Sequence, residues 1–330
     1  MNLSTSYLGL ELASPYIAGA SPMSARLDCV KRLEDAGCAA VVMHSLFEEQ
    51  ITLATSGMIR HRDPFDPEMA GPIESFPAAE DYAFQPDEYA NHLRLVKRAV
   101  GIPVIASLNG ATAEAWLRHA VKLQDAGADA LELNMYQIVT DLDASGMAIE
   151  AQLRDVVHEM KRLLRIPIAI KLTPFYTAFG SVARQLDRAG ADGLVVFNRF
   201  YQPDIDVKTI SAAPSLELSR SAELRLRLHW LANLYGRLDA DLAASGGIET
   251  PEDGIKALLA GADVVQLVSA ILRHGPGYFR MMHQGLERWM EWHHLNGLGE
   301  VRGRLSTSGL EDPEAVERAN YIRTLHSWKV

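Results

Sequence analysis

Four polar side chains close stretches that otherwise read as buried strand. Lys171 ends the run Ile-Pro-Ile-Ala-Ile, Asn134 follows Leu-Glu-Leu, Asn198 follows Val-Val-Phe, and Asn109 follows Ser-Leu. Burying such groups costs free energy unless each finds a partner. An ammonium in that setting can stabilise negative charge on a ligand ring or, once deprotonated, form a Schiff base. Asparagines carry donors and acceptors together, which suits a planar heterocycle with alternating C=O and N–H edges. Beyond Asn134 the chain reads Met135-Tyr136-Gln137-Ile138-Val139 with no turn residue. A phenol there can donate a proton but is a poor base at neutral pH, and a glutamine amide cannot act as a base at all.

The elements that must position these groups are legible as a repeat. EDAGCAAVVMHS at 34, QDAGADALELNM at 124, DRAGADGLVVFN at 187 and LLAGADVVQLVS at 258 each run a helix-compatible segment into Ala-Gly, then into a short apolar strand. Glycine supplies the left-handed helix cap. Proline marks two further joints, AVGIPVIASLNG at 99 and LRIPIAIKLTP at 164, and SPYIAGAS at 14 and DADLAASGGI at 239 add a strand each. The strands expected are 15–19, 39–43, 103–108, 130–134, 167–172, 193–197, 241–245 and 263–268, eight in number and alternating with helical connections. Near-continuous apolar strands suit a parallel sheet covered on both faces, and eight of them predict an α/β fold of the (β/α)8 TIM barrel type. A doubly wound sheet would carry GxGxxG after its first strand, and AGASP at 18 is not that.

On such a barrel the chemistry gathers at the C-terminal strand ends: Gly19 and Ala20; His44 and Ser45; Asn109; Asn134 with Tyr136; Lys171; Asn198 with Arg199; Ser245, Gly246 and Gly247; Ser269 and Ala270. Main chain at Gly246, Gly247, Ser269 and Ala270 occupies the usual barrel phosphate position after strands seven and eight. Two connections, Ser45 to Val100 and the stretch after Asn198 (RFYQPDIDVKTISAAPSLELS), are long enough to serve as lids or subunit contacts. The barrel is expected over 1–306, with a helical tail over 307–330.

Composition narrows the partners. The 330 residues carry 32 Lys and Arg against 42 Asp and Glu, a net charge of −10, which argues against nucleic acid or an anionic membrane surface. No signal-peptide pattern opens the chain and no run of apolar residues is long enough to span a bilayer, so a cytoplasmic protein acting on a small molecule is expected. Fold-level analogy suggests a homodimer. Cys29 and Cys38 lack metal spacing and read as buried apolar residues, while adjacent His293 and His294 would point apart on a helix. Neither a metal site nor an iron–sulfur cluster is expected.

AGAS, LELN, IKLTP, VVFN, and SGGI followed by VQLVSA together resemble the FMN-dependent dihydroorotate dehydrogenases, above all the class 1 branch and its dihydroorotate dehydrogenase-like relatives, from about Leu3 to Ser306. The resemblance implies a flavoprotein oxidoreductase with roles in pyrimidine biosynthesis. It implies that Ala18, Gly19 and Ala20 pack against the flavin and that Lys171 faces N1 and O2 of the ring. His44, Ser45, Asn109, Asn134, Asn198 and Ser245 would join the cofactor site, with Gly246, Gly247, Ser269 and Ala270 on the ribityl phosphate. Asn134, Gln137, Asn198 and Arg199 would form the substrate set. In register, Gln137 stands where class 1 enzymes carry the cysteine base of Leu-Ser-Cys-Pro-Asn, and GPIESFPAAEDYAF, the candidate second substrate loop, has no asparagine. Lys171 and Tyr136 are therefore the expected catalytic residues, with reduction of an activated double bond favoured over oxidation of dihydroorotate. Lys171→Ala is expected to impair flavin reduction more than folding. A flavin-carrying electron-transfer subunit without substrate chemistry, or a Schiff-base aldolase using Lys171, are the alternatives, and a protein electron acceptor accompanies the first two readings.

Overall fold

The computed structural model describes residues 1–51, 84–110, 113–213 and 216–328. Eight parallel strands close into a barrel: β3 (Tyr16–Ala18), β4 (Val41–Val42), β6 (Val104–Gly110), β7 (Ala130–Met135), β8 (Ile168–Leu172), β9 (Gly193–Val196), β12 (Asp241–Ser245) and β13 (Val264–Leu267). Each pairs with its sequence neighbour in the barrel, and β3–β4, β4–β6 and β13–β3 complete the ring. Six of the eight fall inside the spans expected from the sequence, while β6 runs on to Gly110 and β7 to Met135, two residues and one residue past the expected ends. A short β5 (Leu46–Phe47) continues alongside β6 beyond β4.

The helices outside the ring are α1 (Leu27–Asp35), α2 (Pro86–Ala99), α3 (Ala113–Asp125), α4 (Gly146–Leu163), α5 (Phe179–Arg188), α6 (Leu224–Leu234), α7 (Pro251–Ala260), α8 (Ser269–His274), α9 (Tyr278–Trp292) and α10 (Pro313–His326). In all four sequence repeats the glycine after the helix has positive φ, from +94° at Gly37 to +123° at Gly261, a conformation that a side chain would strain.

The Asp in three of those repeats ties adjacent strands together. Asp129 Oδ2 accepts the Val104 amide at 2.6 Å, Asp192 Oδ2 that of Ile168 at 2.7 Å, and Asp263 Oδ2 that of Leu242 at 2.7 Å. Each carboxylate also meets a cation: Lys97, Lys161 and Arg302 respectively.

The N-terminal hairpin β1 (Thr5–Tyr7) and β2 (Leu10–Leu12) was not among the expected strands. Its tip caps the lower barrel, where Tyr7 and Leu8 pack with Ile17, Val42, Ile105, Ala169, Val195 and Val264, and the Leu8 amide donates to Asp241 Oδ2 at 2.6 Å. A second hairpin, β10 (Ile205–Asp206) and β11 (Ser211–Ala212), stands in the long connection after β9. Most of the other long connection, with the candidate substrate loop GPIESFPAAEDYAF up to residue 83, lies outside the described residues.

Thr307 is buried and its amide donates to Ala232 O at 2.9 Å, whereas α10 buries no residue. Among the described residues no helix is long and apolar enough to cross a membrane, and no cluster of His, Cys, Asp and Glu could hold a metal. Cys38 is fully enclosed, and burial pushes its thiol up to about 12.

Candidate active site

A cavity of about 700 Å³ opens at the C-terminal ends of the strands, a size and position usual for a small-molecule site on this fold. Its floor is polar. Lys171 on β8 is 4% exposed, and its Nζ donates to Glu132 Oε1 at 3.1 Å and to Gln266 Oε1 at 3.0 Å. Gln266 Nε2 in turn donates to Glu132 Oε2 at 2.5 Å. The three side chains, from β7, β8 and β13, form a closed ring beneath the cavity, and Lys171 alone of them lines it. An ammonium has three N–H bonds. Two are held by protein, which leaves one for a ligand.

Lys171 thus points inward, as its place at a strand end required. Glu132 and Gln266 went unassigned in the sequence, although the signal was present: alternation along β7 puts Glu132 on the same face as Asn134. Below them the Tyr7 hydroxyl is buried without a hydrogen-bond partner among the described residues, and burial followed by the charge of Glu132 raises its pKa well above the ordinary value.

Asn134 is anchored on one side. Its Nδ2 lies 3.1 Å from Ser45 Oγ, 3.0 Å from Ser107 Oγ and 3.3 Å from Leu108 O, and its Oδ1 meets no donor among the described residues. Register explains the grouping, since Asn109 pairs with Asn134 across β6–β7, and Asn134 with Lys171 across β7–β8. Asn109, His44 and Ser45 line the same cavity. Burial holds the His44 pKa below the usual imidazole value, so this ring is neutral at pH 7.

At the end of β9, Asn198 and Arg199 line the cavity, with the Asn198 amide bonded to Leu172 O at 2.8 Å and Arg199 Nη1 to Glu223 Oε2 at 2.6 Å. Tyr136 forms a wall shared with a second cavity of about 410 Å³. Its hydroxyl accepts the Tyr201 amide at 2.6 Å, which spends a lone pair and keeps the phenolic proton available. Gln137 is exposed and lines the second cavity.

The far end of the main cavity is the Ser245-Gly246-Gly247 corner with Val268 and Ser269. Gly246 and Gly247 have φ of +84° and +78°, and a Cβ on Gly246 would stand 2.8 Å from Arg227 Nη2. Ser219 organises this corner: its Oγ takes the Gly247 amide at 3.0 Å and lies 2.9 Å from Ser269 Oγ. Ser245, Gly246 and Ser269 line the cavity directly, whereas Gly247 and Ala270 stand behind them. Ala20 also lines the cavity, with Ala18 and Gly19 beneath, and Gly19 lies so close to Val268 and Gln266 that a Cβ would reach Val268 Cγ2 at 2.6 Å.

The profile of the dihydroorotate dehydrogenase family matches residues 85–290. The chain belongs to the dihydroorotate dehydrogenase family of oxidoreductases. The catalytic subunit of dihydroorotate dehydrogenase B (NAD(+)) from Methanothermobacter thermautotrophicus is 28% identical over 310 residues, 91% of this chain and 97% of that protein. Its namesake from Thermoplasma volcanium is 25% identical over 311 residues, covering 92% of this chain and 98% of its own. A chloroplastic dihydropyrimidine dehydrogenase (NADP(+)) from Arabidopsis thaliana is 24% identical over 326 residues, 92% of this chain and 76% of that protein. The profile takes in the dihydroorotate dehydrogenase strands from β6 to β13, and so the Lys171, Asn134 and diglycine positions described above.

Proposed function

We propose that this member of the family is an FMN-dependent oxidoreductase acting on the CH–CH or C=C bond of a small planar carbonyl compound, dihydroorotate being the first substrate to try. The observation that carries the reading is Lys171 Nζ, fixed by Glu132 and Gln266 with one N–H left for the cavity. The donor set fits the cofactor: a cation for an anionic ring edge, the free Oδ1 of Asn134 for a ring N–H, and hydroxyls with bare main chain at the far corner for a phosphate. When bound, the flavin would supply hydride transfer. Lys171 stabilises negative charge where the ring meets the strand ends, and Asn134 and Asn198 orient ring or substrate. Ala20, small and on the cavity wall, leaves room for a flat system to lie at the strand end, above Ala18 and Gly19.

Tyr136 serves as the proton donor, because its oxygen already accepts from Tyr201 and its proton meets no acceptor among the described residues. This favours reduction of a double bond. His44, neutral within the cavity, is a further group there able to take up a proton. Arg199, though paired with Glu223, stands at the wall where it can meet an anionic substrate. Two relatives are named catalytic subunits, and on that ground a protein partner that carries electrons is proposed as well.

The absorption spectrum of freshly isolated protein, taken before and after denaturation, tests the cofactor. A flavin spectrum released on unfolding is expected. Colourless protein that borohydride links to a carbonyl substrate would restore the Schiff-base reading of Lys171. Anaerobic bleaching by dihydroorotate, against reoxidation of the reduced protein by an enone, then separates the two directions of chemistry.

A further inference from the structure

Arg227 is a buried cation that bonds no carboxylate among the described residues, although the charge of Glu223 acts on it from nearby. It lies on α6 at 2% exposure, on the wall of the main cavity beside the diglycine corner. Its Nε donates to Ser245 O at 2.9 Å and its Nη1 to Glu223 O at 2.7 Å, both main-chain carbonyls. The guanidinium has five N–H bonds. The other three, both of those on Nη2 included, meet no acceptor among the described residues. The nearest carboxylate candidate, Glu223, is taken by Arg199 at 2.6 Å.

Burying an unpaired guanidinium is costly, and two carbonyls offset only part of that cost. The two bonds that do form lock the group in place, since one is to the residue directly before the diglycine turn. Gly246 has no side chain to separate that turn from Nη2. A fixed fork of free N–H bonds, opening on a cavity between Ser245, Gly246 and Ser269, has the geometry that binds a dianionic phosphate through two bonds.

We propose that Arg227 is the charged anchor for the terminal phosphate monoester of the nucleotide cofactor, and so sets the preference for FMN over riboflavin. This rests on the flavin reading above. Ser269 and the diglycine main chain shape the same end of the cavity, while Arg227 brings the full positive charge that they lack. In the sequence it sits within LRLRLHW, where nothing local sets it apart from Arg225 two residues before.

The test is titration of the flavin-depleted full chain with FMN and with riboflavin, followed by fluorescence, for wild type, Arg227→Lys and Arg227→Met. Wild type is expected to prefer FMN. Arg227→Met should lose on the order of 100-fold in FMN affinity while riboflavin affinity stays within about threefold, and Arg227→Lys should fall between, since lysine offers charge without the fork. Inorganic phosphate, against chloride at equal ionic strength, should weaken FMN binding to wild type and leave riboflavin untouched; this measurement needs no variant to fold. An FMN-to-riboflavin ratio unchanged in folded variants, or no competition by phosphate, would overturn the proposal alone. Wild type that binds neither flavin would overturn it together with the cofactor reading.

Discussion

At the scale of single residues, the ion pair under the cavity changes what a substitution at Lys171 reports. Glu132 is 1% exposed and has Lys171 as its partner cation. Removing one member of a buried pair typically costs about 3–5 kcal/mol, because the other charge is left uncompensated. Lys171→Ala is therefore expected to destabilise the fold as well as to abolish flavin reduction, contrary to the expectation from sequence that activity would suffer far more than folding. Lys171→Met combined with Glu132→Gln removes both charges and should recover most of that stability without activity. Denaturant unfolding of the three proteins, alongside anaerobic reduction, checks this; a double variant no more stable than the single one would contradict the pairing. Gly246→Ala is the second prediction at this scale. Its φ of +84° and the 2.8 Å approach to Arg227 Nη2 make any Cβ strained, so a loss of about 1–3 kcal/mol and weaker flavin binding are expected from calorimetry and titration.

At the scale of elements, the three carboxylates that tie strand to strand are not alike. Burial pushes the Asp263 carboxyl from the ordinary 3.8 up to about 6, despite the Leu242 amide and Arg302. A carboxyl whose pKa is higher folded than unfolded holds its proton longer in the folded chain. That contribution is fully present below about pH 4 and is lost as pH rises through about 6. Asp263→Asn should flatten this part of the stability profile. Thermal midpoints between pH 4 and 6.5 are the measurement: wild type should decline relative to the variant with rising pH, and a relative gain would mean that Arg302 outweighs burial. The repeat that announced these elements was visible as Ala-Gly followed by an apolar run. The purpose of its aspartate was not, because a bond to an amide at the start of the preceding barrel strand joins residues 21 to 25 positions apart.

At the scale of the whole molecule, the barrel and the C-terminal helix contribute very differently. The chain stays bonded to the barrel through Thr307, but α10 buries nothing and touches α6 through the His229–Glu317 contact at 3.6 Å, with both side chains about 40% exposed. Such a pair is worth little in water. Truncation after Leu310 is expected to leave barrel stability within about 0.5 kcal/mol of the full chain, and a larger loss in denaturant unfolding would show that the helix packs more firmly than its exposure implies.

Local sequence determined the eight strands, the helix caps between them and the kind of group at each strand end. Period, proline and glycine act over a few residues, so a single chain displays them directly. Lys171, Asn134 and the diglycine could be picked out in that way, because a polar residue at the end of an apolar run is locally anomalous. Only the tertiary structure decided that Glu132 and Gln266 lock the ammonium, that Gln137 turns to the second cavity, that Tyr136 gives its lone pair to Tyr201, and that Arg227 reaches the diglycine corner without a carboxylate. Each depends on which side chains meet across the barrel, as with Glu132 and Gln266, 134 residues apart and joined at 2.5 Å. Charge and hydrogen-bond partnership are properties of pairs, and closing the barrel is what makes those pairs.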